Sequence, residues 1–236
     1  MVGKYSDIRA FIDARSCSFE RYLRNTLLYD ELWYYLKRLS TRTDIYIFSG
    51  VIRNFFLNDF NNRDIDIVIR NIRYIILSNL KLLVSIEKNR FGGLKVSLER
   101  LKIDAWELDE TWGIIEENKN ASPKELITTA FFNFSAIVYD VKNSCFIYGD
   151  DFCRFLQTKT MDVVYPKNPD IALCIINTLH YKHKYKLSLS RNLCRWIVFH
   201  YHSDLNFRAT QLRHFGRIIY SNREIASFVS LCYLRI

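Results

Sequence analysis

Apolar and polar residues recur along the chain with two different periods, and these periods predict where helices and strands lie. Residues 7–39 repeat apolar side chains at spacings of three and four, which is typical of helices that pack on one face. Residues 45–48 form a short apolar run, and residues 64–69 alternate carboxylates with isoleucines, so both stretches are predicted strands. Residues 51–57, between them, fit a helix that begins directly after a turn.

The middle of the chain continues with short elements of both kinds. Strands are predicted at 84–88, 94–98 and 101–108, followed by a strand-rich piece at 128–140 and a returning hairpin strand at 141–148. Helices are predicted at 74–83, 111–118 and 150–157, and another begins at Ser122-Pro123. This succession predicts an α/β (α+β) fold with a mixed β-sheet flanked by helices.

Pro166 and Pro169 mark a boundary, beyond which the pattern is helical to the end of the sequence. Helices are predicted at 170–186, 192–202, 206–220 and 223–234. The chain is therefore divided into a head, residues 1–160, and a small all-helical part, residues 161–236.

Two aspartates on one predicted strand carry the clearest chemical signal. A strand points every second side chain the same way, so Asp64 and Asp66 share a face. Like charges that close repel, and a divalent cation between them removes the repulsion. Asp104, on the strand predicted at 101–108, is the third candidate carboxylate, with Glu107 as the alternative if the register differs by one. The competing interpretation is an edge strand that merely displays two solvated aspartates.

A turn of small residues lies just upstream of this pair. Ser49 and Gly50 separate the first predicted strand from the helix, and backbone N–H groups at such a turn can bind an anion. Arg53 follows one helical turn later. Two metal ions bound beside a phosphate-binding turn are typical of enzymes that transfer a phosphoryl or nucleotidyl group.

These residues also resemble a known family. Residues 49–54, Ser-Gly-Val-Ile-Arg-Asn, are similar to the Gly-Gly-x-Val-Arg-Asp motif of poly(A) polymerases and tRNA CCA-adding enzymes, in the DNA polymerase β nucleotidyltransferase superfamily. Asp64 and Asp66 match the Asp-x-Asp of that family. Two departures are Ser49 for the first glycine and Asn54 for the aspartate after the arginine.

The resemblance implies a metal-dependent nucleotidyltransferase with a head domain of that family. Asp64, Asp66 and Asp104 would be catalytic and would hold two Mg²⁺ ions, with Mn²⁺ as the second candidate. Ser49, Gly50 and Arg53 would bind the nucleoside triphosphate. The acceptor implied is the hydroxyl of an RNA 3′ end.

Other departures leave the acceptor open. The Arg-Arg pair with which the family helps to hold the nucleotide is replaced by Thr129 and Ala130, and no Glu-Asp-x-x-Arg run occurs in the sequence. Nucleotidylation of a protein or small molecule, as in toxin and antibiotic-resistance relatives, is therefore an alternative. A non-catalytic nucleotide- or RNA-binding module on the same fold is the second alternative.

The charge distribution adds a further candidate site. The net charge is +9, and residues 161–236 alone contain eleven Lys/Arg against four Asp/Glu. Within them, Lys182 lies among aromatic and basic residues at 180–186, which suits nucleotide or RNA contact as well as a helix end. No apolar run approaches the ~20 residues of a membrane span. We therefore expect a cytoplasmic protein without a membrane partner.

Overall fold

The computed structural model describes residues 5–74, 83–88, 93–98 and 101–236, and the chain divides into two compact units. The first unit comprises residues 1–130 and 134–157, and the second comprises residues 131–133 and 158–236. The domain boundary at 160/161 and the roles assigned to the two parts stay predictions.

The first unit is built around a seven-stranded mixed sheet. Its strands are β1 (Ile45–Phe48), β2 (Asp64–Ile69), β3 (Leu83–Lys88), β4 (Leu94–Leu98), β5 (Lys102–Glu107), β6 (Ile137–Asp140) and β7 (Cys145–Tyr148). Their order is β3-β4-β5-β2-β1-β6-β7. β2 and β5 are parallel, and every other neighbouring pair is antiparallel. The predicted mixed sheet is confirmed.

Seven described helices accompany this sheet: α1 (Tyr5–Ala14), α2 (Ser16–Tyr22), α3 (Tyr29–Leu39), α4 (Gly50–Phe56), α5 (Trp112–Glu116), α6 (Pro123–Thr128) and α7 (Asp150–Thr158). A π-helical turn, Leu23–Leu27, joins α2 to α3. Ser122 caps α6, because its side chain accepts a hydrogen bond from the Glu125 amide. The helix predicted at 74–83 falls mainly outside the described residues.

The two faces of the sheet carry different apolar clusters. On one face, Tyr46 and Val68 pack with residues of α5 and α6 such as Ile114 and Leu126. On the other, Phe19 of α2 contacts the rings of Tyr139 and Phe146, with centroids 5.1 and 5.2 Å apart. Burial on both faces is what fixes the central strands, because β1 and β2 offer apolar side chains in both directions.

The strand-rich interpretation of residues 128–140 was wrong over most of its length. The helix that starts at the Ser122 cap continues to Thr128, and Asn133–Ser135 is a 3₁₀ turn. Only Ile137–Asp140 pairs in the sheet. The sequence does not distinguish the two structures, because the aromatic residues of this stretch suit a strand as well as they suit buried irregular backbone.

The second unit is helical apart from one pair of two-residue strands. It contains β8 (Thr160–Met161), α8 (Ile171–Tyr185), β9 (Ser188–Leu189), α9 (Arg191–His200), α10 (Phe207–Phe215) and α11 (Asn222–Tyr233). α10 ends earlier than predicted because Gly216 adopts a left-handed conformation, with φ +70°. Within the described parts of the chain, no helix is both long and apolar enough to cross a bilayer.

A tight contact at Gly113 gives a testable stability prediction. A Cβ atom added to Gly113 would lie 2.6 Å from Cβ of Thr129. Gly113→Ala should therefore lower the free energy of unfolding by about 1–3 kcal/mol, measured in urea. Gly149→Ala is the control, since the nearest atom to its added Cβ is 4.0 Å away. Equal stability of the two variants would contradict the prediction.

Candidate active site

Three carboxylates lie at one end of the central strands. Asp66 pairs in register with Phe48 of β1 on one side and with Asp104 of β5 on the other. Asp64 precedes it by two residues on the same face of β2. The parallel pairing of β2 with β5 thus places Asp104 beside the Asp-x-Asp pair, although the two strands are far apart in the sequence.

Burial and neighbouring charges shift the pKa values of two of these carboxyl groups, Asp66 and Asp104. Burial, followed by the neighbouring charges of Asp64 and Asp104, raises the pKa of Asp66 to about 7, and the charge of Arg53 acts in the opposite direction. Burial also raises the pKa of Asp104, with Lys95 acting in the opposite direction. The folded chain therefore holds Asp66 in surroundings that disfavour its ionised form.

The Ser49–Gly50 turn lies directly against Asp66. A Cβ atom on Gly50 would be 3.8 Å from Asp66 Oδ2. Ser49 is buried and adopts φ +46° and ψ −86°, a strained conformation for a residue other than glycine. Its hydroxyl donates to Ser135 Oγ at 2.7 Å, and its carbonyl accepts from the Arg53 amide at 2.9 Å. The turn is therefore held from both sides.

Arg53 is buried next to this turn, with 7% of its surface exposed. Its guanidinium donates to Asn54 Oδ1 through Nε and Nη2, at 3.0 and 2.8 Å. Its Cζ atom lies 5.2 Å from the ring centroid of Phe134, within range of a cation–π interaction. Asn54, where the resembling family has aspartate, thus contacts the arginine directly.

The two remaining candidates lie elsewhere. Glu107 projects from the opposite face of β5 to Asp104, and its Oε1 accepts a hydrogen bond from the Ile72 amide at 3.0 Å. Lys182 is half-buried on α8 of the second unit. There, burial raises the pKa of the Cys232 thiol to about 12, and the charge of Lys182 opposes that rise. Its role in nucleotide binding stays a prediction.

Several residues at this end of the sheet belong to no sequence motif, so the sequence alone did not identify them. Ser135 and Phe134 reach the turn because β6 pairs with β1, which brings the residues before Ile137 next to Ser49. Lys95 reaches Asp104 because β4 pairs with β5. Only the strand order could have identified them.

The three carboxylates are the candidate ligands for a divalent cation. Among the described residues, no group of three or more His, Cys, Asp or Glu side chains is arranged so that it could hold a metal ion. The chemistry nevertheless suits Mg²⁺, which prefers carboxylate oxygens. Burial is the main cause of the rise in the Asp66 pKa, and the charges of Asp64 and Asp104 add a part that a bound cation would offset. Asp64, Asp66 and Asp104 are the residues that would hold it.

No protein-family model and no curated protein matches this sequence. Solved structures do match. The Thermotoga maritima CCA-adding enzyme complexed with tRNA superposes with a TM-score of 0.62 at 14% identity, over 86% of this chain and 50% of that one. A CCA-adding enzyme with CTP gives a TM-score of 0.65 at 13% identity, over 86% and 51%. A tRNA-processing enzyme in an apo form gives 0.60 at 17% identity, over 84% and 58%.

These matches establish the fold. The chain has the fold of CCA-adding and tRNA-processing nucleotidyltransferase structures, which confirms the resemblance drawn from residues 49–66. It spans about half the length of the structures it matches.

Proposed function

We propose that the chain is a metal-dependent nucleotidyltransferase that transfers a nucleoside monophosphate from an NTP to an acceptor hydroxyl. One observation carries the proposal: Asp66 lies between Asp104, its register partner in the parallel strand, and the Gly50 turn, whose added Cβ would be 3.8 Å from the carboxylate. Acidic side chains and a turn of small residues thus meet at one end of a nucleotidyltransferase fold.

Each residue has a role that follows from its position. The Gly50 amide would donate a hydrogen bond to the phosphates, and the Ser49 hydroxyl would donate another if Ser135 became the donor in the hydrogen bond between the two serines. Arg53, buried beside them, would neutralise part of the triphosphate charge. Asp64, Asp66 and Asp104 would hold Mg²⁺, which when bound supplies charge neutralisation at the phosphates and activation of the acceptor hydroxyl.

The reaction is an in-line substitution at the α-phosphorus. The acceptor oxygen forms a new bond to that phosphorus, and the bond from the phosphorus to the bridging oxygen of the β-phosphate breaks, which releases pyrophosphate. The proton of the acceptor hydroxyl passes to Asp104, whose raised pKa suits a proton acceptor.

The acceptor we propose is an RNA 3′ end. The matched structures include a CCA-adding enzyme complexed with tRNA, and residues 161–236 carry a net positive charge that suits a polyanion. Lys182 would contribute to nucleotide or RNA contact. Protein or small-molecule nucleotidylation is the alternative for the same active site.

A non-catalytic nucleotide- or RNA-binding module is the second candidate, and a specific observation favours it. Phe131, which follows Thr129 and Ala130 directly, packs against the ring of Trp196 on α9, with the ring centroids 4.7 Å apart. Aromatic packing thus occupies the stretch where the resembling family continues its nucleotide-holding motif. The three retained carboxylates argue against a simple RNA-binding role, because they would repel phosphates.

A transfer assay separates these candidates. The protein is incubated with each α-³²P-labelled NTP, Mg²⁺ and either total RNA or a cell extract, and the label is located on gels. We expect Mg²⁺-dependent label on RNA that disappears in Asp64→Asn/Asp66→Asn. Label on protein or in neither fraction would identify the alternative acceptors. NTP binding without transfer, unchanged in the double variant, would establish the binding module instead.

A further inference from the structure

A series of hydrogen-bonded side chains connects the N-terminal helices to Arg53. Arg53 donates twice to Asn54 Oδ1, at 3.0 and 2.8 Å. Asn54 Nδ2 donates to Asn62 Oδ1 at 2.7 Å, and Asn62 Nδ2 donates to Tyr22 Oη at 2.6 Å. The Tyr22 hydroxyl in turn donates to the Phe60 carbonyl at 3.5 Å. We refer to Tyr22, Asn62, Asn54 and Arg53 as the Tyr22–Arg53 relay.

Arg53 fixes the direction of every bond in the relay. A guanidinium has donors only, so Asn54 must present its carbonyl oxygen to it and its amide nitrogen to Asn62. Asn62 must then accept through Oδ1 and donate to Tyr22. An aspartate at position 54 could not donate to Asn62, so the departure from the family motif at Asn54 is what gives the relay this direction.

The far end of the relay is fixed by aromatic packing. Tyr22 is the last residue of α2, is 8% exposed, and stacks on the ring of Phe55 with centroids 5.8 Å apart. The π-helical turn that begins at Leu23 follows it directly, and such turns occur frequently at functional sites. Asn62 lies in the loop between α4 and β2. Three separate segments therefore determine where the Arg53 guanidinium lies.

We propose that Tyr22, Asn62 and Asn54 are positioning residues that hold Arg53 in the orientation in which it binds the triphosphate. This inference rests on the proposed function. An arginine that is ordered before the ligand arrives loses less side-chain entropy on binding, so the relay raises affinity without touching the nucleotide. It also makes the N-terminal helices part of the nucleotide site.

Two variants interrupt the relay while keeping its surroundings. Tyr22→Phe removes the hydroxyl but keeps the packed ring. Asn62→Leu removes both hydrogen bonds of the Asn62 side chain, to Asn54 and to Tyr22. Tyr34→Phe, at a tyrosine that is 55% exposed, and Asn61→Ala, at an exposed position in the same loop, are the matched controls. Thermal unfolding checks that all four remain folded.

Two measurements report separately on the order of the Arg53 side chain and on nucleotide affinity. The first is the ¹⁵N NMR signal of Arg53 Nε–H, assigned by its loss in Arg53→Lys. We expect slow exchange with water in the wild type and exchange at least about tenfold faster in Tyr22→Phe and Asn62→Leu. The second is the Kd for MgATP by calorimetry, which should rise about 3–10-fold in both variants and stay unchanged in both controls.

Each result has a definite meaning. An Arg53 signal that is unaffected by either variant, or a disordered Arg53 with unchanged MgATP affinity, overturns the positioning role while leaving the proposed function standing. A wild type that binds no MgATP overturns the proposed function and this inference with it, and the NMR signal then still reports whether the relay orders Arg53.

Discussion

Asp66→Asn is expected to lower the rate of nucleotidyl transfer at least about a thousand-fold while leaving the fold intact. Asparagine has the shape of aspartate but lacks its charge, and Asp66 is the middle carboxylate of the three, paired in register with Asp104. The loss should appear in kcat with labelled NTP and Mg²⁺. Asp109→Asn, at an exposed aspartate of the 3₁₀ turn after β5, is the matched control and should keep full activity.

The same assay decides between the two candidates for the third carboxylate. Asp104→Asn should lower the rate about a hundred-fold or more. Glu107→Gln should stay within about twofold of the wild type, because a glutamine oxygen can still accept the hydrogen bond from the Ile72 amide. The reverse order of effects would exclude Asp104 from the site.

The second large effect concerns stability without metal. The pKa of Asp66 rises from its ordinary value of 3.8 to about 7 in the folded chain, so the folded state binds more protons than the unfolded state between these values. Stability must therefore fall as the pH increases through that window, and the loss is complete above about pH 7. At pH 8, Asp66→Asn should make the metal-free protein more stable by about 1–2 kcal/mol.

The measurement is urea unfolding in EDTA at pH 5 and pH 8. The gain in stability from Asp66→Asn should be larger at pH 8 than at pH 5, because the carboxyl group of the folded wild type is mostly protonated at pH 5. Adding Mg²⁺ at pH 8 should stabilise the wild type and leave the variant unchanged. If the variant were less stable than the wild type at pH 8, burial and the neighbouring carboxylates would not be destabilising ionised Asp66. The exposed Asp109→Asn variant should change stability by less than about 0.5 kcal/mol at either pH.

The proposed site places catalysis and folding stability in conflict. A site that gathers carboxylates for a cation costs folding free energy when the cation is absent, and a substitution that relieves the cost removes the chemistry. The strained Ser49 turn fits the same pattern, since a φ of +46° is retained at a residue other than glycine beside those carboxylates.

The sequence by itself determined the parts of this protein that depend on local order. The strand bounds of β1 and β2 follow from short apolar runs interrupted by polar residues, and the turn at Ser49-Gly50 follows from small residues between them. The side-by-side placement of Asp64 and Asp66 needs only the two-residue period of a strand. The resemblance to a nucleotidyltransferase head could be recognised because all of these features lie within residues 45–69.

The tertiary structure decided what depends on pairing between distant segments. The parallel pairing of β2 with β5 places Asp104 beside Asp66 and turns Glu107 to the other face, and β6 beside β1 brings Ser135 to the turn. The contacts of Tyr22 and Asn62 with the arginine site follow from helix packing in the same way. A sequence pattern specifies which residues share a face, but the neighbour across the sheet is selected by the burial of whole strands and helices.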